Sequence, residues 1–338
     1  MAEKPYMDMS EKPYIVVTLG PTGSGKSGLI KNIIEYLGLS KEYVKILVDD
    51  IVENNQNYKD RILSIMEDVS QQCKSEKYHC EDSTCDKCDS AKYYLNPSDG
   101  LIAKFNAAYF DIRKSTKCDP YSKLTCDDIN DKNLMEAILN RQNIVFEATG
   151  VSIPSWLLSA PYINDNYTII FAYSIVTYDK LIERNIARTL QSITTFQQDV
   201  TKNPGPRLPE LRHDIFKNIV QQTKEILIDL YNSCIRQHDI KKCGTQKIDR
   251  LLLFDNNESI MTLVYDSVTP TLSIHEFTVM VCKLFGIDCQ GQKGGNKKHI
   301  KYHKKTHTIR TNTRNYKNIK TRRKTLKRHK LANSTIHK

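Results

Sequence analysis

The segment Gly20-Pro-Thr-Gly-Ser-Gly-Lys-Ser27 most constrains what this chain can fold into. It matches the phosphate-loop pattern G-x-x-x-x-G-K-[S/T] at every fixed position. In such a loop, glycines let backbone N–H groups point at phosphate oxygens, and the next helix adds partial positive charge. The sequence therefore predicts an ATP or GTP site formed by Gly20, Pro21, Thr22, Gly23, Ser24, Gly25, Lys26 and Ser27.

The residues on either side fit the strand, loop and helix that this motif requires. Tyr14 to Leu19 is a short apolar, β-branched run typical of a buried strand, and Ser27 to Leu37 has apolar residues at helical spacing. Lys26 is expected to reach the β- and γ-phosphates, and the hydroxyl of Ser27 to ligate Mg²⁺. ATP and Mg²⁺ are therefore the predicted cofactors.

Strands and helices alternate along the rest of the chain. This order predicts an α/β P-loop NTPase fold with three layers, in which helices cover both faces of a mainly parallel sheet. The predicted strand from Arg250 to Phe254 should form a hairpin with residues 260–265 across Asn256-Asn257. The further predicted strands are Val44 to Val48, Asn143 to Phe146, Tyr167 to Tyr173 and Arg250 to Phe254, and a last helix is predicted near Ile274 to Phe285.

Two stretches interrupt the alternation. Residues 51–130 are mostly polar and predict a helical insertion after the second strand. Residues 191–211 are rich in Gln, Thr and Pro and predict a mobile lid between two helices. We therefore expect a kinase-like P-loop domain over residues 12–290, followed by a disordered basic tail over residues 291–338.

Three acids follow predicted strands. Asp49 and Asp50 end the second strand and Glu147 ends the third, so all three should face the crevice at the carboxyl edge of the sheet. A carboxylate there can accept a proton from an attacking hydroxyl or help to hold Mg²⁺. The alternative is that each acid only caps a turn.

Four arginines lie around the predicted lid: Arg184, Arg188, Arg207 and Arg212. Phosphoryl transfer needs positive charge around the γ-phosphate, which a lid arginine can supply. Arg188 and Arg207 bracket the lid and are the favoured candidates, whereas Arg184 and Arg212 also suit a solvated surface.

Together these pieces resemble the zeta toxin family of P-loop kinases. The resemblance covers about residues 12–260 and rests on the phosphate loop, Val48-Asp-Asp-Ile-Val52, Phe146-Glu-Ala-Thr149, the arginines of the helix predicted from about Tyr178 to Leu190, and Gly205-Pro-Arg-Leu-Pro209. It implies a kinase whose catalytic base is Asp50, acting with Lys26. It further implies substrate-binding roles for Asp49, Glu147 and Thr149, and phosphate-binding roles for Arg188 and Arg207.

The chain departs from the family pattern at two positions. Glu53 stands three residues after the catalytic acid, where the family has a basic residue, and Val151 stands where the toxins place an arginine. These departures count against UDP-N-acetylglucosamine, the nucleotide-sugar substrate of the family. They do not change the residues that the resemblance assigns to the kinase chemistry.

The ten cysteines are expected to be reduced, because Met1 to Lys12 is too polar for a secretion signal and a cytosolic location follows. Cys73, Cys80, Cys85 and Cys88, with His79 alongside, include one C-x-x-C pair and enough thiols for a structural zinc site. Free thiols in a polar insertion are the alternative.

Charge is distributed unevenly along the chain. From Lys293 onward there are 17 Lys or Arg and no acids, which leaves 33 basic and 39 acidic side chains, a net charge of −6, in residues 1–292. Such a tail favours non-specific binding to nucleic acid, and its composition is similar to tails on proteins of large DNA viruses. A solubilising or nuclear-targeting tail is the alternative.

Three functions remain open from the sequence. The first is an ATP-dependent kinase that phosphorylates a hydroxyl of a small molecule or nucleotide-sugar. The second is a polynucleotide 5′-hydroxyl kinase, and the third is a virion-associated or interaction protein that binds nucleotide without turnover. No stretch approaches the ~20 apolar residues of a membrane span, so no membrane partner is expected.

The basic tail generates a prediction about nucleic-acid binding. Truncation after Gln292 should remove most of the affinity for single-stranded oligonucleotides, because the tail carries the cations that displace phosphate counterions. Affinities of both proteins should be measured from low to physiological salt, where only the full chain should show a steep dependence. Equal affinities at every salt concentration would contradict this role of the tail.

Overall fold

The structure is a computed structural model that describes residues 12–75, 101–116, 118–119, 121–158, 161–208, 213–237, 248–269 and 271–288. The basic tail and Cys80, Cys85 and Cys88 of the zinc hypothesis lie outside these residues. Zinc and the tail's partner therefore stay predictions.

The strands form one six-stranded sheet in the order β2-β3-β1-β4-β5-β6. Neighbouring strands are parallel except for β5 and β6, which pair antiparallel as the predicted hairpin. The predicted α/β class is therefore confirmed. The strands are β1 (Tyr14–Leu19), β2 (Val44–Ile46), β3 (Ile144–Ala148), β4 (Thr168–Ile175), β5 (Arg250–Asp255) and β6 (Thr262–Asp266).

Helices connect the strands, and none of those described is both long and apolar enough to cross a membrane. The helix α9 continues directly into one π-helical segment, Tyr231–Arg236. The helices are α1 (Lys26–Leu37), α2 (Val48–Glu53), α3 (Gln56–Ser75), α4 (Leu101–Lys114), α5 (Cys126–Leu139), α6 (Ser155–Leu158), α7 (Pro161–Asn166), α8 (Tyr178–Gln198), α9 (His213–Leu230) and α10 (Ile274–Phe285).

Both faces of the sheet are buried, as alternation along β1 shows. Ile15 and Val17 belong to a core shared with residues of α5, α8, α9 and α10. Val16 points to the opposite face, where it packs with Leu29 and Ile33 of α1. Because successive strand residues point to opposite faces, one apolar strand holds two helical layers. The three-layer arrangement places the loop between β1 and α1 at the centre of the sheet edge.

The insertion is helical, as predicted, but it has a hydrophobic core of its own. Tyr58 and Ile62 of α3 pack with Phe105 and Tyr109 of α4, and all four are almost fully buried. Phe196 of α8 belongs to the same cluster. Leu208, in the segment that follows α8, belongs to it as well, so apolar packing holds the insertion both to α8 and to that segment.

The predicted lid is shorter than expected and is bonded to the insertion. Helix α8 runs to Gln198. Its residues Ile193 and Phe196 lie three apart, at helical spacing, and both pack into the insertion core. Beyond it, Lys59 Nζ donates to Thr201 O at 3.2 Å, and Tyr58 Oη donates to Pro206 O at 2.9 Å. The N–H of Gly205 donates to the carbonyl of Glu53 at 2.7 Å. Residues 199–208, called the lid segment below, are therefore anchored.

The expectation that all cysteines are reduced is wrong for this structure. Cys118 and Cys126 form a disulfide, and Cys234 and Cys282 are also disulfide-bonded. An isolated antiparallel β-bridge between Asp119 and Leu124 folds the chain back on itself. The Cα atoms of Cys118 and Cys126 therefore lie 5.3 Å apart. Proximity in this short turn was not visible from spacing alone.

A buried ion pair fastens β5 to β6. Arg250 and Asp266 are 5% and 3% exposed, and Arg250 Nε donates to Asp266 Oδ1 at 3.0 Å. Tyr36 of α1 donates its hydroxyl to Asp266 Oδ2 at 2.8 Å. The pair therefore connects the edge hairpin to the helix that follows the phosphate loop.

Replacing Asp266 by Ala should destabilise the protein by about 3–5 kcal/mol, because it leaves the Arg250 guanidinium buried without its carboxylate. Urea unfolding measures the change. The double variant Arg250→Met/Asp266→Leu is the control and should recover most of the loss, since it removes both charges. Equal stability of Asp266→Ala and the unaltered protein would contradict this account.

Candidate active site

The predicted phosphate loop has the backbone that its glycines allow. Gly23 and Gly25 take φ values of +85° and +87°, which side-chain-bearing residues rarely adopt. Lys26 Nζ donates to the carbonyls of Gly20 at 2.7 Å and Pro21 at 3.1 Å. Burial lowers the pKa of Lys26 to about 8, so it stays largely charged at neutral pH. The ammonium is thus held at the loop itself, where it can exchange carbonyl for phosphate oxygens.

Side chains from two other elements bond the carbonyls of the loop. Asn185 Nδ2 on α8 donates to Thr22 O at 2.8 Å. Asn256 Nδ2, directly after β5, donates to Ser24 O at 2.7 Å, and Ser174 Oγ of β4 donates to the same oxygen. A carbonyl oxygen that accepts no hydrogen bond would repel a phosphate. Because these carbonyls accept hydrogen bonds, the loop's N–H groups are better able to bind an anion.

Glu147 lies inside β3, one residue before the strand's end, and not after it as expected. It pairs in register with Thr18 of β1, which brings its carboxylate to the start of α1. Ser27 Oγ donates to Glu147 Oε1 at 3.4 Å, and Lys45 Nζ lies 3.8 Å from the same oxygen.

A hydroxyl beside a carboxylate is a donor set that suits Mg²⁺, so Ser27 and Glu147 fit the predicted cation. Among the described residues, no group of three or more His, Cys, Asp or Glu side chains is placed to hold a metal ion alone. Mg²⁺ in phosphate-transfer sites usually takes one or two protein ligands together with substrate phosphates.

Asp49 and Asp50 lie in the first turn of α2, because β2 already ends at Ile46. Acids are stabilised there by the positive end of the helix dipole. Asp49 Oδ2 lies 2.6 Å from Arg207 Nη1, and its Oδ1 accepts from the hydroxyl of Tyr109. Asp50 Oδ2 accepts from Lys45 Nζ at 3.2 Å, and its side chain is 52% exposed. The neighbouring acids thus have different surroundings.

Of the predicted arginines, Arg188 and Arg207 reach the same cleft. Arg207 comes from the lid segment, and its guanidinium lies 4.2 Å from the centre of the Tyr109 ring, a cation–π geometry. Arg188 is exposed on α8. Arg184 does not line the cleft, and Arg212 lies outside the described residues.

The cleft has a volume of about 830 Å³. The phosphate loop forms one end and the insertion forms part of the other. Thr149 and Val151 line it after β3, and the substrate-binding role of Thr149 stays a prediction. The insertion contributes Asn106, Phe110, Arg113, Asp127, Asn130 and Asp131. The volume and the mixed lining suit a nucleotide together with a second substrate.

The insertion end of the cleft combines aromatic and acidic groups. Phe110 is 51% exposed there. Asp127 is paired with Arg113 at 2.8 Å, and burial, together with Asp127 and Asp128, raises the pKa of Asp131. A hydroxyl-bearing molecule would meet both an apolar ring and hydrogen-bond acceptors at this end.

Three site residues were missed in the sequence. Lys45 sits in the polar position of Val44-Lys-Ile46 at the predicted second strand, so alternation could have indicated it. Asn185 precedes Arg188 by three residues and therefore shares its helix face. Tyr109 gave no local signal, because it reaches Asp49 and Arg207 only through the fold of the insertion.

No protein-family model matches the chain, and no curated protein matches it. Solved structures do match. The chain is similar to one from the PezAT chromosomal toxin-antitoxin system of Streptococcus pneumoniae, with 12% identity and a TM-score of 0.43, over 84% of this chain and 82% of that one.

Glu53 occupies the cleft wall at the end of α2. Burial, reinforced by the charge of Asp49, raises its pKa to about 7, while Arg188 and Arg207 act in the opposite direction. The folded protein therefore holds this proton more tightly than the unfolded chain, whose glutamate has the usual pKa of about 4.5.

Glu53 should make stability fall as pH rises from about 4.5 to about 7, since ionisation in the folded state is penalised across that window. Glu53→Gln, which cannot ionise, should be more stable than the unaltered protein at pH 8 by an amount on the order of 2 kcal/mol, and nearly equal at pH 4.5. Chemical unfolding at both pH values tests this. A constant difference between the proteins would contradict it.

Proposed function

We propose that this protein is an ATP-dependent kinase that transfers the γ-phosphate to a hydroxyl of a small molecule or nucleotide-sugar. The observation that carries the proposal is the convergence on one cleft of three kinds of group. These are a cation-bearing phosphate loop, carboxylates and two arginines: Lys26, Ser27, Asp49, Asp50, Glu147, Arg188 and Arg207.

The phosphate loop would bind the β- and γ-phosphates through its N–H groups and Lys26. Ser27 and Glu147 would hold Mg²⁺, which when bound neutralises charge that develops on the phosphates. The enclosure of the Lys26 ammonium supports this role, because a cation in a poorly solvated position attracts phosphate more strongly than an exposed one.

Asp50 would act as the general base. Its carboxylate would accept the proton of the acceptor hydroxyl while that oxygen bonds to the γ-phosphorus and the bond from phosphorus to the β,γ-bridging oxygen breaks, releasing ADP. Exposure of Asp50 to the cleft supports this role. Asp49 is bonded on both oxygens by Arg207 and Tyr109, which suits it to orienting the arginine.

Arg188 and Arg207 would stabilise negative charge on the transferred phosphoryl group. They approach from different elements, α8 and the lid segment, and both act electrostatically on Lys26. This proximity supports a shared phosphate between the three cations. Thr149 would contact the acceptor from the end of β3.

Asp50→Asn should reduce phosphoryl transfer ~10²-fold or more, because it removes the proton acceptor, and it should leave ATP affinity nearly unchanged. Asp49→Asn is the matched neighbour and should have a smaller effect. Transfer of labelled phosphate from ATP to a metabolite extract measures turnover, and titration with fluorescent ATP measures affinity. Reversed effects would assign the base to Asp49.

The same assays separate a kinase from a protein that only binds nucleotide. Lys26→Ala should abolish both affinity and transfer, since alanine cannot reach the phosphates. Tight ATP binding without transfer to any metabolite or oligonucleotide would support the non-catalytic alternative. Transfer to oligonucleotide 5′ ends alone would support the polynucleotide kinase.

A further inference from the structure

Asn185 joins two parts of the site that the proposed function uses separately. Its amide nitrogen donates to Thr22 O in the phosphate loop and to Leu181 O in its own helix, both at 2.8 Å. The side chain also lies against Gly23, where an added Cβ would come within 2.6 Å of its Nδ2. One side chain thus contacts both the loop and α8.

The surroundings of Asn185 indicate a role beyond holding the helix. The residue is 1% exposed, and its Oδ1 is buried with no hydrogen-bond partner among the described residues. An unpartnered buried acceptor is a cost to folding. A serine in a helix can bond the carbonyl four residues earlier without that cost, so the loop contact is what an amide adds here.

Arg188 follows Asn185 by three residues and therefore projects from the same face of α8. Both residues line the cleft, and Arg188 acts electrostatically on Lys26 of the loop. The bond from Asn185 to Thr22 consequently constrains the distance between the backbone of α8 at Arg188 and the phosphate loop.

We propose that Asn185 is a positioning residue that sets the phosphate loop and Arg188 in register with each other. The inference rests on the proposed nucleotide binding. Asn185 keeps the Thr22 carbonyl occupied, which favours binding of the β-phosphate by the loop. Through the helix it also holds Arg188 beside the position expected for the γ-phosphate.

Asn185→Ser tests the proposal, because the serine hydroxyl can bond Leu181 O but cannot reach Thr22 O. We expect the affinities for fluorescent ATP and ADP to fall about tenfold, which corresponds to ~1.4 kcal/mol. The preference for ATP over ADP should fall as well, since Arg188 loses its place beside the γ-phosphate. A role in folding alone would lower the melting temperature and leave the preference unchanged.

Thr194→Ala is the matched control on the same helix. Thr194 Oγ1 donates to Leu190 O at 2.9 Å, the same type of contact within the helix, but Thr194 does not line the cleft. This variant should keep the affinities and the ATP preference of the unaltered protein. Asn185→Asp preserves the side-chain shape and places a carboxylate oxygen against Thr22 O, so it should weaken ATP binding more than Asn185→Ser.

The outcomes separate this inference from the proposed function. If the unaltered full chain binds neither ATP nor ADP, the proposed function fails and this inference fails with it. If the unaltered chain binds both, and Asn185→Ser and Asn185→Asp bind them with unchanged affinity and preference, the proposed function stands and Asn185 has no positioning role. If Asn185→Ser does not fold, Asn185→Ala, which places no charge in the buried site and also lacks the bond to Thr22 O, decides by the same measurements.

Discussion

The parallel pairing of β1 with both β3 and β4 is the constraint on which the rest of the site depends. It places the phosphate loop at the centre of the sheet edge, with Glu147 on one neighbouring strand and Ser174 on the other. A shift of β3 by one residue would turn Glu147 to the opposite face of the sheet. The register of three strands therefore decides whether Ser27 meets a carboxylate.

The second constraint is the packing of the insertion against the lid segment. Tyr109 contributes to the insertion core through its ring, while its hydroxyl donates to Asp49 and its π face lies beside Arg207. An aromatic residue with a polar end can serve both environments at once. Folding of the insertion and orientation of Arg207 are thus coupled through one side chain.

The sequence was sufficient for the parts of the structure that rest on local pattern. The phosphate loop, the hairpin of β5 and β6 and helix α10 were predicted because glycine spacing, β-branched runs and helical periodicity are local signals. Asp49 and Asp50 were assigned to a strand end, because apolar Leu47 and Val48 continue the strand pattern although the helix begins at Val48. Periodicity does not report the contacts of Tyr109 or the anchoring of the lid segment, because these depend on residues distant in sequence. It does not report the Cys118–Cys126 disulfide either, because that depends on the geometry of a turn.

Three of the hydrogen bonds that hold the lid segment end on its main chain. Tyr58 and Lys59 donate to the carbonyls of Pro206 and Thr201, and Gly205 gives its N–H to Glu53. Every residue type has these backbone atoms, proline lacking only the N–H, so these three bonds by themselves do not require particular side chains in the lid segment. Gly205 is an exception, because a Cβ there would come within 2.8 Å of the Tyr58 ring. Distant relatives should therefore be recognised by the tyrosine and lysine of α3 and by this glycine, even where the letters of the lid segment have diverged beyond alignment.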